Sequence, residues 1–238
     1  MSILISGYSR QCANQIHVDQ DHFGGIRVLS ADGTEIAGAV VADGVSLGFQ
    51  GKYASYNTTL WFLEWCAAYL PRETFDPQGI AQEIQTQMVQ YNHRLNAFSD
   101  ERSDKDTCCT VCGMLTDGKQ VLIFNAGDSR LYELTASAEV RCMTRDDKAE
   151  DGYSIAMHIG GKNDEEIQIS FSVEEFHEDS LYILCTDGFY KRCRFQDVLT
   201  ALMGCYTREE TVAILEKVVD ALVESGEKDD ITAVVLGC

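Results

Sequence analysis

The chain is short of basic residues, of proline and of long apolar runs, and each shortage excludes something. Nineteen Lys and Arg stand against 38 Asp and Glu, a formal net charge of −19 at pH 7. Such a surface repels phosphate backbones and anionic headgroups, so nucleic acid and membrane surfaces are excluded as partners, and cations or basic segments are favoured. Only two prolines occur, with no Pro-rich or Gly/Ser-rich stretch, internal repeat or low-complexity run. Nothing reads as a linker, and 1–238 reads as one domain. No apolar run approaches the roughly 18 residues that span a bilayer. The first residues, MSILISGYSRQ, lack the basic start and apolar core of a signal peptide. The ten cysteines therefore read as reduced thiols of a cytoplasmic protein, several of them (Cys66, Cys112, Cys185) set in apolar runs. Cys109 and Cys112 form a Cys-x-x-Cys, but on a strand these positions point to opposite faces, so neither zinc nor redox chemistry is assigned to them.

What the chain does have is a recurring placement of aspartate at the ends of apolar segments. Ala39–Ala42 stops at Asp43-Gly44, Val121–Ala126 runs into Gly127-Asp128, and Leu181–Thr186 runs into Asp187-Gly188. In reverse, Asp229-Asp230 precedes Ile231–Leu236. A carboxylate at the end of a buried strand is costly to desolvate unless something positive meets it. If these ends converge, they make a cluster of hard oxygen ligands suited to Mg²⁺ or Mn²⁺ rather than zinc, with Asp43 at its centre.

The element pattern is strands, two long helices, many strands, two helices, one strand. Phe23–Ser30 and Glu35–Ala42 read as a hairpin around Ala31-Asp32-Gly33. Lys52–Leu70 is helical by period, with Ala54, Thr58, Trp61, Trp65 and Ala68 on one face. Asp76–Phe98 is a second helix, with a stripe of Ile80, Ile84, Met88, Tyr91, Leu95 and Phe98 and a proline at its first position. Strands are expected over Ser2–Tyr8, Thr107–Leu115, Gln120–Ala126, Ser129–Thr135, Glu139–Met143, Ile167–Ser172, Leu181–Thr186 and Ile231–Leu236, and helices over Phe195–Met203 and Glu209–Glu224. This is not βα alternation, so a parallel doubly wound sheet is excluded. The expected class is α+β, two mainly antiparallel sheets flanked by helix pairs.

In order along the chain stand Asp19-Gln20-Asp21, Val40–Gly44 followed by Gly51 and Ala54-Ser55, Cys109-Thr110, Asn125–Tyr132 (NAGDSRLY), Met143–Asp147 (MTRDD), Leu184–Phe189 (LCTDGF) and Lys228–Val235 (KDDITAVV). Taken together they resemble the motifs of the protein phosphatase 2C family, the metal-dependent Ser/Thr phosphatases, in its bacterial single-domain form. The resemblance implies a four-layer αββα sandwich. It implies hydrolysis of phosphoserine and phosphothreonine by a hydroxide bridging two Mn²⁺ or Mg²⁺ ions. Asp43 would be the bridging and catalytic ligand, with Gly44 (through its carbonyl), Asp187 and Asp229 completing the site, Asp21 acting through bound water and Asp128 helping a third, weaker ion. Implied partners are phosphoproteins, a Ser/Thr kinase and its substrates.

Three departures from the family pattern stand out. Ile16 occupies the place of the arginine that contacts substrate phosphate, Ser46-Leu47-Gly48 replaces Gly-Gly-His, and only Lys148–His158 is left for the flap. Arg10 is the first candidate for the missing phosphate contact and His17 the second, because an arginine fork fits phosphoryl oxygens and the loop between Arg10 and Asp21 is long enough to curl. Two other functions stay open at this point: a catalytically weak interaction module on the same fold, and a phosphatase of small phosphate esters.

Overall fold

The computed structural model describes residues 3–11, 19–45, 49–101, 107–151, 154–161, 167–205 and 207–237. Strand β1 (Leu4–Arg10) is followed by β2 (Asp21–Leu29) and β3 (Glu35–Asp43), then by helix α1 (Phe49–Tyr69), a 3-10 turn (Leu70–Arg72) and helix α2 (Pro77–Glu101). Next come β4 (Cys108–Cys109), β5 (Val111–Thr116), β6 (Gln120–Ala126), β7 (Arg130–Leu134), β8 (Val140–Cys142), β9 (Ile159–Gly160), β10 (Ser170–Glu175) and β11 (Leu181–Cys185). Helices α3 (Asp187–Tyr190), α4 (Phe195–Leu202) and α5 (Arg208–Glu224) lead to β12 (Ile231–Gly237).

Two five-stranded sheets form, ordered β1-β12-β11-β7-β8 and β10-β6-β5-β3-β2, with every neighbouring pair antiparallel. A small ribbon pairs β4 with β9. Alternation along β3 explains the layering. Ala37, Ala39 and Val41 face the first sheet, while Ile36, Val40 and Ala42 face the layer of α1 and α2. On the first sheet Leu184, Val234 and Leu236 point between the sheets, and Ile183, Cys185, Ala233 and Val235 point to α4 and α5. Central strands buried on both faces read as continuous apolar runs, which is why β3, β5, β6 and β12 stand out in the sequence. The result is the four-layer αββα sandwich. Among the described residues no helix is long and apolar enough to cross a membrane. The eight cysteines within the described residues are all free; Cys109 of β4 packs in the core under α1 and α2, and Cys112 of β5 packs between the two large sheets.

The structure departs from the sequence reading in several local ways. The buried line of α1 is Ala54, Thr58, Phe62, Cys66 and Leu70, not the line through Trp61, Trp65 and Ala68. The helix also lies close on β2, where a side chain on Gly24 would run into Leu63 and Thr59. The tryptophans sit at the flank in a stack of rings: Trp61 on Tyr91 at 5.3 Å and Trp65 on Tyr69 at 5.1 Å between centroids. The strand expected over Ile167–Ser172 begins at Ser170, because the Gln85 side chain on α2 donates to the Ile167 carbonyl (2.7 Å) and accepts from the Ile169 amide (2.9 Å). The strand expected over Thr107–Leu115 is interrupted at Thr110, and α3 and β9 had no period long enough to read.

Candidate metal and phosphate site

Strand β2 starts at Asp21 and β3 ends at Asp43, and the two residues are directly opposite in the antiparallel register. Asp43 shares the parity of Val41, so both carboxylates open between the two sheets at one end of the sandwich. Like charges facing each other across a strand pair are destabilising, so this pairing asks for a cation. From the other sheet, Asp187 opens α3 directly after β11, and Asp229 lies just ahead of β12, the neighbour of β11.

Hydroxyls tie these ends together. The Asp21 carboxylate is buried and accepts from Thr186 Oγ1 at 2.7 Å; the Thr186 hydroxyl in turn accepts from the Thr232 amide at 3.1 Å. Thr110, at the break between β4 and β5, donates its amide to the Asp43 carbonyl (2.8 Å) and accepts from the Asp43 amide through Oγ1 (3.2 Å). The same hydroxyl bonds Ser129 at 2.7 Å, which links the Asp43 turn to the Gly127-Asp128 turn. Asp147 holds that second turn, its carboxylate accepting from the Gly127 amide at 3.0 Å. The Gln20 amide donates to Asp230 Oδ2 at 2.8 Å, so the segment before β2 is fastened to the segment before β12.

Two glycines permit the approach. A side chain on Gly44 would run into the Gly51 backbone at the start of α1. A side chain on Gly188 would run into the Asp230 carbonyl, so only glycine lets the Asp187 and Asp229 turns lie against each other. Gly188→Ala should therefore separate the two aspartates. A displacement near 1 Å costs about 10²-fold in rate, and the overpacked turn costs about 1–3 kcal/mol. Parallel activity and urea-melt measurements check this; wild-type values in both would show that the turns are not in contact.

The electrostatics follow from crowding. Loss of solvation, then the charges of Asp21, Asp187, Asp229 and Asp128, carry the Asp43 carboxyl well above the usual range. Asp21 is raised in the same direction by burial, against its bonds to Thr186 and Thr232. Burial and Asp187 raise Asp128 and push Asp229 up to about 6. Lys191 answers this charge: its ammonium is bonded to Asp187 Oδ2 and stands 4.0 Å from Asp229 Oδ2.

The donor set fits a divalent hard cation. It is all oxygen, it carries an uncompensated like-charge pair, and Asp187 Oδ1 is buried with no hydrogen-bond partner. As the side chains stand, no group of three or more His, Cys, Asp or Glu among the described residues is arranged to hold a metal ion. Asp21 is turned onto Thr186, and Asp187 onto Lys191.

Of the sequence-derived candidates, Asp21, Asp43, Gly44, Asp128, Asp187 and Asp229 come to this one end of the sandwich. Arg10 does not join them. It shares the parity of Tyr8, faces α5, and its guanidinium is ion-paired with Asp220. That pair is exposed and contributes no more than about 1 kcal/mol. His17, Ile16 and Ser46–Gly48 lie outside the described residues. Arg130 is held by Asp146 through two bonds of 2.8 Å and lies over the Tyr190 ring, which makes it a structural ion-pair partner. Lys191 was missed, because a lysine four residues after an aspartate is ordinary on any helix face.

Two further spellings bear on the chemistry. Gly44–Gly48 reads Gly-Val-Ser-Leu-Gly, the Gly-x-Ser-x-Gly spacing of serine hydrolases, and Cys66 and Arg72 stand at the Cys-x₅-Arg spacing of cysteine phosphatases. Cys66 is fully buried in α1 with its thiol pushed far up by burial, so it is no nucleophile. A serine elbow needs a histidine base, and the His22 ring is bonded to Ser55 at 2.9 Å.

Comparison with known proteins points to one family. The family profile described as protein phosphatase 2C matches residues 8–230. A search of curated protein sequences found no match. Among solved structures, the chain is similar to PppA, described as a key regulatory component of T6SS in Pseudomonas aeruginosa, with a TM-score of 0.77 and 19% identity over 100% of this chain and 98% of that one. It is similar to the S. agalactiae serine/threonine phosphatase, with a TM-score of 0.81 and 15% identity over 99% of each chain. A third is the catalytic domain of the serine threonine protein phosphatase PstP in complex with two manganese ions, with a TM-score of 0.71 and 18% identity over 99% of this chain and 97% of that one.

Proposed function

The chain belongs to the protein phosphatase 2C family, and from that we propose that it removes phosphate from phosphoserine and phosphothreonine in proteins, with Mn²⁺ or Mg²⁺ held by Asp43, the Gly44 carbonyl, Asp187 and Asp229, Asp21 behind them, and Asp128 at a third, weaker position. The observation that carries this reading is the convergence of four chain segments on one cluster of carboxylates that includes a buried, unpartnered oxygen on Asp187. Idle carboxylates so placed repel one another without return. Two divalent ions, when bound, supply an activated water and charge neutralisation at the phosphoryl oxygens. The chain's own residues then position. Thr110 fixes the Asp43 turn, Thr186 and Thr232 orient Asp21, and Asp147 fixes the turn that carries Asp128. The short segment between Asp147 and Ile159 offers little chain to cover the site, which favours phosphoproteins over small esters. The kinase that supplies such substrates is the natural counterpart of the reaction.

The test compares three substrates with Mn²⁺: a set of phosphoserine and phosphothreonine peptides, a small aryl phosphate and common phosphorylated metabolites. The peptides and the aryl phosphate should be hydrolysed and the metabolites spared, and Ser46→Ala should turn over like wild type. Binding of phosphopeptides without any turnover would make the chain an interaction module. Preference for metabolites would make it a small-ester phosphatase. Loss of activity in Ser46→Ala would move the chemistry to a serine nucleophile.

A further inference from the structure

Lys191 is the one basic side chain within ion-pair distance of the carboxylate cluster among the described residues. Other basic groups nearby are engaged elsewhere: Arg10 with Asp220, Arg130 with Asp146, Arg192 with Glu227 and Lys148 with Asp146 at 3.2 Å. Lys191 closes the four-residue helix α3, its amide donating to the Asp187 carbonyl at 3.0 Å. From there its side chain folds back so that the ammonium bonds Asp187 Oδ2 and stands 4.0 Å from Asp229 Oδ2. Its charge also acts on Asp128. The stem stays half exposed, so the ammonium can swing into solvent without unpacking the core.

We propose that Lys191 is a built-in monovalent counter-ion that competes with the divalent metal for the Asp187 and Asp229 carboxylates. This rests on the metal-dependent reading of the same site. Asp187 Oδ2, which the ammonium holds, is an oxygen that a divalent ion between Asp187 and Asp229 would draw on. Two cations cannot share that oxygen at bonding distance without repelling each other. Lys191 therefore holds these two aspartates in place at low metal and gives them up as metal rises. The cost is a weaker grip on metal, so occupancy follows the supply of Mn²⁺ rather than staying saturated. As a positioning residue it acts through the ligands and leaves the reacting atoms alone.

The two roles predict opposite signs in one variant. Lys191→Met keeps the length of the stem and removes the charge. By calorimetric titration it should bind Mn²⁺ about 2–5-fold more tightly than wild type, the scale of a partly exposed ion pair. In EDTA the same variant should melt at lower temperature, because Asp187 and Asp229 lose their partner. Lys191→Arg should stay near wild type in both. A lysine with only a structural role would lower the melting temperature without tightening Mn²⁺. If Lys191→Met binds Mn²⁺ no more tightly than wild type, the competition is overturned while the metal site stands. If wild type itself takes up no Mn²⁺, both readings fall together.

Discussion

Asp43→Asn should lose turnover by at least about 10³-fold and yet melt at higher temperature than wild type when both are kept in EDTA. Several kcal/mol of transition-state stabilisation come from divalent ions at a phosphoryl site, and about 1.4 kcal/mol is a factor of ten in rate. Asp43 sits amid the cluster: it faces Asp21 across the strand pair and feels Asp187, Asp229 and Asp128. Losing it removes the carboxylate proposed as the central ligand. It also removes a charge that is costly to the fold, since its carboxyl is held well above the usual range by lost solvation and by those neighbours. Asparagine keeps the shape and the backbone bonds to Thr110 while deleting the charge. The stability gain should be a few degrees in melting temperature for a chain of this size. A structural aspartate would behave oppositely, with activity and stability falling together. Mutant activity within tenfold of wild type would remove Asp43 from the centre of the mechanism.

Mn²⁺ should raise the melting temperature by roughly 5–10 °C at about a hundred times its dissociation constant, since that excess stabilises by about 2.7 kcal/mol. EDTA should abolish turnover. The rise should be larger at pH 7.5 than at pH 5. Asp21, Asp43, Asp128 and Asp229 all have raised carboxyl pKa values in the folded state, with Asp229 near 6. The folded protein therefore binds protons that the unfolded chain releases near pH 4, and the stability these groups contribute is lost as pH rises through their folded values. Metal binding to carboxylates must expel those same protons, so it is opposed at low pH and freed at high pH. Melting curves in EDTA and in Mn²⁺ across this range measure both effects. Curves that coincide at every pH would mean that the folded chain binds no Mn²⁺.

Most of this site can be read in the amino-acid order because its ligands sit at strand ends. An aspartate at the end of an apolar run is visible as an abrupt change of polarity: Asp43 and Asp187 open an Asp-Gly after a strand, Asp128 follows Gly127 after another, and Asp229 stands just ahead of a fourth. The hairpin of β2 and β3 is equally plain, since Asp32-Gly33 sits between runs that alternate correctly. Faces of helices are less legible. The choice between Phe62 and Trp61 as the inward residue of α1 depends on what other segments set against the helix: Phe62 meets Phe124 of β6, while Trp61 stacks on Tyr91 of α2. Arg10 shows the same limit. Distance along the chain lets it reach the phosphate site, but its place at the end of β1 sets its side chain on the α5 side, where Asp220 receives it. Lys191 is invisible for a different reason: its partner Asp229 is far away in sequence, and only the contact of the Asp187 and Asp229 turns brings the three charges together.

Strand β12 follows all the other described elements in the chain, yet it lies inside its sheet between β1 and β11. Thr232 on this strand donates to the hydroxyl of Ser9, a bond spanning 223 positions. Contacts of such separation form late, because the loop entropy must be met before they are gained. Without β12 the chain holds Asp21, Asp43 and Asp187 but neither the strand that lies between β1 and β11 nor the Asp229 segment that leads into it. The first sheet is then split, with β1 lacking the neighbour that fixes its register. The carboxylate cluster and the completed first sheet therefore form in one step, when β12 docks.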